Sequence, residues 1–270
     1  MKKTILLAGI ILSILPKLWA QDIEVAPIRV RFSANPQETQ TKTITVKNHS
    51  NSKESVVLTL KDYLIYKDGS KKILPAESSK NSIAKWITMN PSYLEINPNE
   101  SRTVQLNFQA PSGNYTSKWG ILSVSTAKEQ TSFSADKETT AGISLYGRID
   151  VHLSYTPQSE RNTNKRVKIS NLREITQEDD SLRTFSVHID NLGNTIVPCK
   201  VYMIASNLNT LKEKTFEPKQ IKAYPQTSRT LKLKVPDVLK NGKYSLSAIL
   251  DYGSSEALEG TQITIEVPPK

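Results

Sequence analysis

The chain has 270 residues, a formal net charge of +10, 37% apolar residues and a single cysteine. That length suits two domains of ordinary size, each able to bury a core unaided. One cysteine excludes an intrachain disulfide, and charges of both signs without a basic block or interleaved aromatics exclude a nucleic-acid partner.

Lys2 and Lys3 open the chain, an apolar run follows from Ile5 to Leu15, and Leu18-Trp19-Ala20 gives way to polar sequence at Gln21. This is the pattern of a secretory leader, residues 1–20, cut after Ala20. The run is too short to cross a hydrocarbon core of about 30 Å. No later segment is apolar enough to span, so no stable membrane insertion is expected, and no cysteine follows the leader to accept a lipid.

Beyond the leader, apolar residues recur at every second position, as one buried strand face requires. Ile44 and Val46 alternate in TITVKNHSN, which ends at Asn51, and Val56, Leu58 and Leu60 follow. Lys67-Asp68-Gly69-Ser70 is a hairpin signal, because Asp-Gly readily takes the positive φ angles of a tight turn. PNESRTVQL from Pro98 leads into Val104, Leu106 and Phe108, and Gly113 and Tyr115 precede another apolar run. A polar stretch from Lys128, KEQTSFSADKETT, comes before a long strand in which Ile143, Leu145, Ile149, Val151, Leu153 and Tyr155 share one face. That strand ends at Pro157, which has no N–H to give a ladder, and the polar run QSERNTNKR begins. A domain boundary is expected there, dividing 21–157 from 158–270.

The second half repeats the landmarks of the first in the same order. SVHIDNLGN, ending at Asn194, matches TITVKNHSN, so that Asn191 corresponds to Asn48; PQTSRTLKL from Pro225 matches PNESRTVQL; Gly242 and Tyr244 match Gly113 and Tyr115. Three matched landmarks imply two copies of one module. Many short strands with regular turns and no persuasive helix predict an all-β chain of two immunoglobulin-like antiparallel β-sandwich domains in tandem. Tyr115 and Tyr244 are placed either as tyrosine corners or as ordinary core aromatics.

No chemistry-bearing pattern emerges. His49, His152 and His188 share no metal-ligand spacing with one another or with Cys199, which sits in the apolar strand VPCKVYMI and reads as a small buried hydrophobe. There is no phosphate loop, nucleophile elbow or zincin helix, and Glu178-Asp179-Asp180 lacks the calcium-loop spacing. The reading is of a protein that is not an enzyme and takes no cofactor or metal.

EVAPIRVRF from Glu24, TITVKN from Thr43, WITMNPSYLEINPNESRTVQL from Trp86 and ISLYGRIDVHLSYTP from Ile143 resemble, in order, the first domain of the periplasmic pilus chaperones, the PapD-like family. The second half is similar only as another immunoglobulin-like module. The resemblance implies a periplasmic chaperone whose partners are protein subunits of pili or other surface fibres, with an outer-membrane usher as a further partner. Such a chaperone lends an edge strand to a subunit that lacks its last strand, and so covers a hydrophobic groove that would otherwise aggregate. By this resemblance Ile143 and Leu145, extending to Ile149, are the donor-strand contacts. The family also holds the subunit's terminal carboxylate with two basic residues. The first falls on Arg29, whose guanidinium suits bidentate binding. The second falls on His152, a departure from the family pattern, with Arg148 on the same strand as a substitute. Two other readings stay open: an envelope structural or adaptor protein with a permanent partner, and a carbohydrate-binding accessory module that uses Trp86 or Trp119.

Overall fold

The computed structural model describes residues 22–113, 116–127, 147–159, 163–177, 182–235, 239–253 and 256–268. The leader, Tyr115, Ile143 and Leu145 lie outside the described residues. The first ten strands are β1 (Ile23–Ala26), β2 (Arg29–Ala34), β3 (Thr39–Asn48), β4 (Glu54–Ile65), β5 (Lys71–Pro75), β6 (Ile87–Asn90), β7 (Tyr93–Ile96), β8 (Ser101–Gln109), β9 (Lys118–Ala127) and β10 (Arg148–Pro157). A 3-10 turn at Ala84–Trp86 is the only helical element among the described residues. These strands form a four-stranded sheet, β1-β3-β8-β6, facing a six-stranded sheet, β2-β10-β9-β4-β5 with β7 on β4. Pairing is antiparallel except for β2 against β10, which run parallel.

The alternation in the sequence is what closes this sandwich. Ile44 and Val46 of β3, Val104, Leu106 and Phe108 of β8, and Val151, Leu153 and Tyr155 of β10 all point into one core. Phe32, Phe108 and Tyr155 stack through it, with centroids 4.8 and 5.0 Å apart. The Tyr155 hydroxyl donates to the Ala34 carbonyl at 3.2 Å, so this buried phenol keeps a partner.

The second sandwich comprises β11 (Val167–Glu174), β12 (Arg183–Asn191), β13 (Val197–Asn207), β14 (Glu213–Thr215), β15 (Lys219–Ala223), β16 (Ser228–Val235), β17 (Gly242–Asp251) and β18 (Glu259–Val267). Its sheets are β11-β12-β16 and β14-β13-β17-β18, with β15 on β13. Cys199 is buried in its core, and burial pushes the thiol up to about 11. Tyr244 is also buried there, and its hydroxyl bonds to no described residue, so it is a core aromatic and not a tyrosine corner.

Two of the three duplicated landmarks make matching contacts, and the third, with Tyr115, lies outside the described residues. The Asn48 side-chain amide donates to the carbonyls of Ser52 at 2.7 Å and Ile96 at 3.0 Å, and its Oδ1 accepts the Ser50 N–H at 2.8 Å. Asn191 repeats this with the carbonyls of Thr195 at 2.8 Å and Ala223 at 2.9 Å, and with the Gly193 N–H at 2.9 Å. Asn suits both positions because one short side chain offers donors and an acceptor. The Glu100 N–H closes a turn onto Asn97 and the Thr227 N–H closes its counterpart onto Tyr224, with Asn99 and Gln226 at φ 61° and 56°. Ser101 and Ser228 then lie opposite Lys47 and Asp190, in each case the residue before the matched Asn.

The outer face of the six-stranded sheet meets the second sandwich. Tyr63, Trp119 and Ile121 form a small cluster there, completed by Ile196 and Tyr224 from the second domain. The Tyr63 and Tyr224 hydroxyls are 3.1 Å apart, and burial, with Tyr224 beside it, pushes the Tyr63 phenol well above its ordinary range. Ser117 donates its N–H to the Asn194 carbonyl at 2.8 Å and accepts the Ile196 N–H on its hydroxyl at 3.1 Å. The β4–β5 hairpin also reaches across, where the Lys67 carbonyl accepts the Thr230 N–H at 2.6 Å. Gly69, at φ 87°, lies against the Arg229 guanidinium.

Candidate functional site

β2 and β10 bury alternate residues, which leaves Arg29 and Arg31 on the same outward side as His152 and Ser154. The parallel register places Arg29 directly opposite His152 and Arg31 opposite Ser154, and the His152 N–H donates to the Ile28 carbonyl at 2.9 Å. The expected pair is therefore adjacent. His152 is half-buried, and its ring stands edge-on to Tyr63 with centroids 6.0 Å apart.

Two further cations join them. Lys71, just past the Asp68-Gly69 turn, places its ammonium 4.8 Å from the Tyr63 ring centroid. Lys222 of β15 lies two residues before Tyr224, whose hydroxyl meets Tyr63. Electrostatics tie the group together. Burial, then Lys71, Arg29 and Lys222, push the His152 imidazole down, opposed only by Asp150. Burial and then Arg29 lower Lys71; burial and then Arg31, Arg29 and Lys71 lower Lys222. His152 is thus a neutral N–H donor at pH 7, and the positive charge comes from Arg29, Arg31, Lys71 and Lys222. Among the described residues none of these four cations forms an ion pair. Such a cluster of like charges is an anion site in waiting.

Arg148 is not part of it. It stands four residues before His152 on β10, about 13 Å along the strand, and its guanidinium lies 3.3 Å from Asp150. Ile149 is half-buried on the inward side and packs against the first core. The sequence reading missed Lys71 and Lys222, since nothing local connects either with Arg29.

Among the described residues, one edge of β10 is only partly paired beside this cluster. β9 pairs with β10 from Arg148 to Tyr155, whereas β2 covers its other side only from His152 onward. Arg148 to Val151 therefore have no described strand on that side. A foreign strand added there would continue the line of β2, and its near end would meet Arg29. Cys199 is buried in the core of the second sandwich and is not part of this cluster. Trp119 is 3% exposed and donates its indole N–H to the Tyr63 carbonyl, so it has no free ring face for a sugar, and Trp86 packs edge-on against Phe108 and Tyr155.

No family sequence profile matches the chain, and no characterised protein matches it in sequence. Solved structures do match. A chain from a chaperone–tip adhesin complex of CFA/I fimbriae biogenesis is 13% identical, with 92% of this chain and all of that one covered and a TM-score of 0.50. The class 5 fimbriae chaperone CfaA is 12% identical over 91% of this chain and 99% of its own, at 0.49. The YadV chaperone is 11% identical over 91% of this chain and all of its own, at 0.45. The chain has the PapD-like fold over most of its length.

Proposed function

We propose that the protein is a non-enzymatic periplasmic chaperone for subunits of pili or other surface fibres, acting by strand donation. The observation that carries this reading is that, among the described residues, Arg148 to Val151 of β10 have no strand on one side and this edge runs up to four cations that form no ion pair. Ladder hydrogen bonds along that edge supply affinity for an incomplete sandwich, and the apolar residues before it fill the client's groove. Ile143 and Leu145 are the donor side chains, with Ile149 at the junction where the strand turns to its own core. Arg29 fixes the register by holding the client's terminal carboxylate in a bidentate pair, and neutral His152 adds a hydrogen bond. In this reading residues 1–20 direct export and are removed, 21–157 carry the client, and 158–270 form the second wall of the cleft. An outer-membrane usher would receive the complex.

Co-expression in the periplasm with a fibre subunit that lacks its last strand tests the proposal. The wild-type protein keeps the subunit soluble and co-purifies with it. Loss of one partner of a buried charge pair costs about 2 to 5 kcal/mol, so Arg29→Ala abolishes capture while the variant stays folded. Capture by Arg29→Ala at the wild-type level would refute the anchor. Failure of the wild type to hold any strand-deficient subunit would refute the chaperone reading itself.

A further inference from the structure

We propose that the carboxylate site is built from both domains, with Arg29 of β2 and Lys71 of β5 on one side and Lys222 of β15 on the other. The inference rests on the reading that this cluster receives a client's chain end. Tyr63 is its hub: the Lys71 ammonium lies over the ring, His152 meets the ring's edge, and the hydroxyl bonds to that of Tyr224. Tyr224 follows Ala223, whose carbonyl is held by the buried amide of Asn191. Lys222 is therefore carried on a backbone pinned at its next residue and stapled to the first domain one residue later.

The charge pattern agrees with this geometry. Lys222 is lowered by Arg31, Arg29 and Lys71, all from the first domain, after burial. Asp150 shares the outward face of β10 with His152, and its carboxylate is paired with the Arg148 guanidinium at 3.3 Å. In the free protein these cations repel one another across the domain junction, and an arriving carboxylate relieves the repulsion while attracting all of them. Two effects of opposite sign follow for Lys222→Gln. Removing a repelled charge raises the thermal midpoint of the free protein, and removing an attracting charge weakens carboxylate binding. A merely structural lysine would move both in the same direction.

The probe is an N-acetylated peptide of alternating Thr and Val with a free carboxy terminus, compared with the same peptide amidated. Wild-type protein binds the acid more tightly than the amide. Lys222→Gln and Lys71→Gln each reduce acid binding about threefold, the scale of one partly exposed ion pair, and leave amide binding unchanged; Lys222→Arg restores it. Acid binding also slows hydrogen exchange at the Thr230 and Ile196 amides, which bridge the domains. If Lys222→Gln leaves acid binding intact while Arg29→Ala removes the acid's advantage, the anchor lies within the first domain and the two-domain site is wrong, although the carboxylate reading survives. If Lys222→Gln weakens acid and amide alike and lowers the thermal midpoint, the residue is structural and the inference fails. Equal binding of acid and amide by the wild type overturns both.

Discussion

Replacing Asn191 with Ala tests how the second domain presents its part of the cleft. The side chain is 1% exposed and makes three hydrogen bonds, donating to the carbonyls of Thr195 and Ala223 and accepting the Gly193 N–H. Truncation strands these groups in a place water reaches poorly, and each buried unsatisfied group costs about 1 to 3 kcal/mol. Partial relaxation of the 193–195 loop offsets part of this, so the expected loss is about 3 kcal/mol. Urea unfolding followed by the emission of Trp119 is the assay, because that indole is sealed between the domains. The midpoint should fall and the native emission should shift to the red, since the same loop contacts Ser117. Asn48→Ala should cost a similar amount, because it removes the matching bonds, but should leave the Trp119 environment closer to native. A loss below about 1 kcal/mol for Asn191→Ala would refute the claim that these bonds hold the turn.

Tyr63→Phe and Tyr224→Phe, combined in a double-mutant cycle, should show a coupling of about 0.5 to 1.5 kcal/mol in stability; zero coupling would mean the hydroxyl pair does not tie the domains. Gly69→Ala should cost about 1 kcal/mol from its positive φ, and the Arg229 guanidinium should yield to the new methyl, so adding Arg229→Ala recovers little of the loss in thermal denaturation. The His152 imidazole is depressed in the folded protein, so the unfolded chain binds more protons and stability falls as pH drops through about 6.5. His152→Gln should flatten that limb of the pH–stability curve, and an unchanged slope would deny the burial of the ring. Cys199, pushed up to about 11, should resist alkylation at pH 8 until the second domain unfolds; labelling of the native protein at the rate of a free thiol would show the site is open.

The strands, the Asp-Gly hairpin and the paired Asn and Pro turns were legible because each depends on a few neighbouring residues. The parallel pairing of β2 with β10 was not, since it joins segments 123 positions apart in register, as for Arg29 and His152. Lys71 and Lys222 escaped for the same reason. For Arg148 the local signal is in the sequence, because Asp150 is two residues along on the same strand face and pairs with it. The domain junction also left a trace. Trp119 to Val124 reads as a nearly unbroken apolar run, and Asp62 and Tyr63 are buried in succession, as happens when both faces of a sheet are covered.

The shared cluster of Tyr63, Trp119 and Ile121 sets an order of events during folding. The first sandwich can close as soon as β10 is made, yet its outer aromatic surface stays uncovered until residues 194–230 arrive. Domains generally fold as units, so this face is exposed in every chain from the closing of the first sandwich to the docking of the second. Over that interval the protein resembles the kind of client proposed for it, a sandwich with an apolar surface still waiting for the strands that cover it.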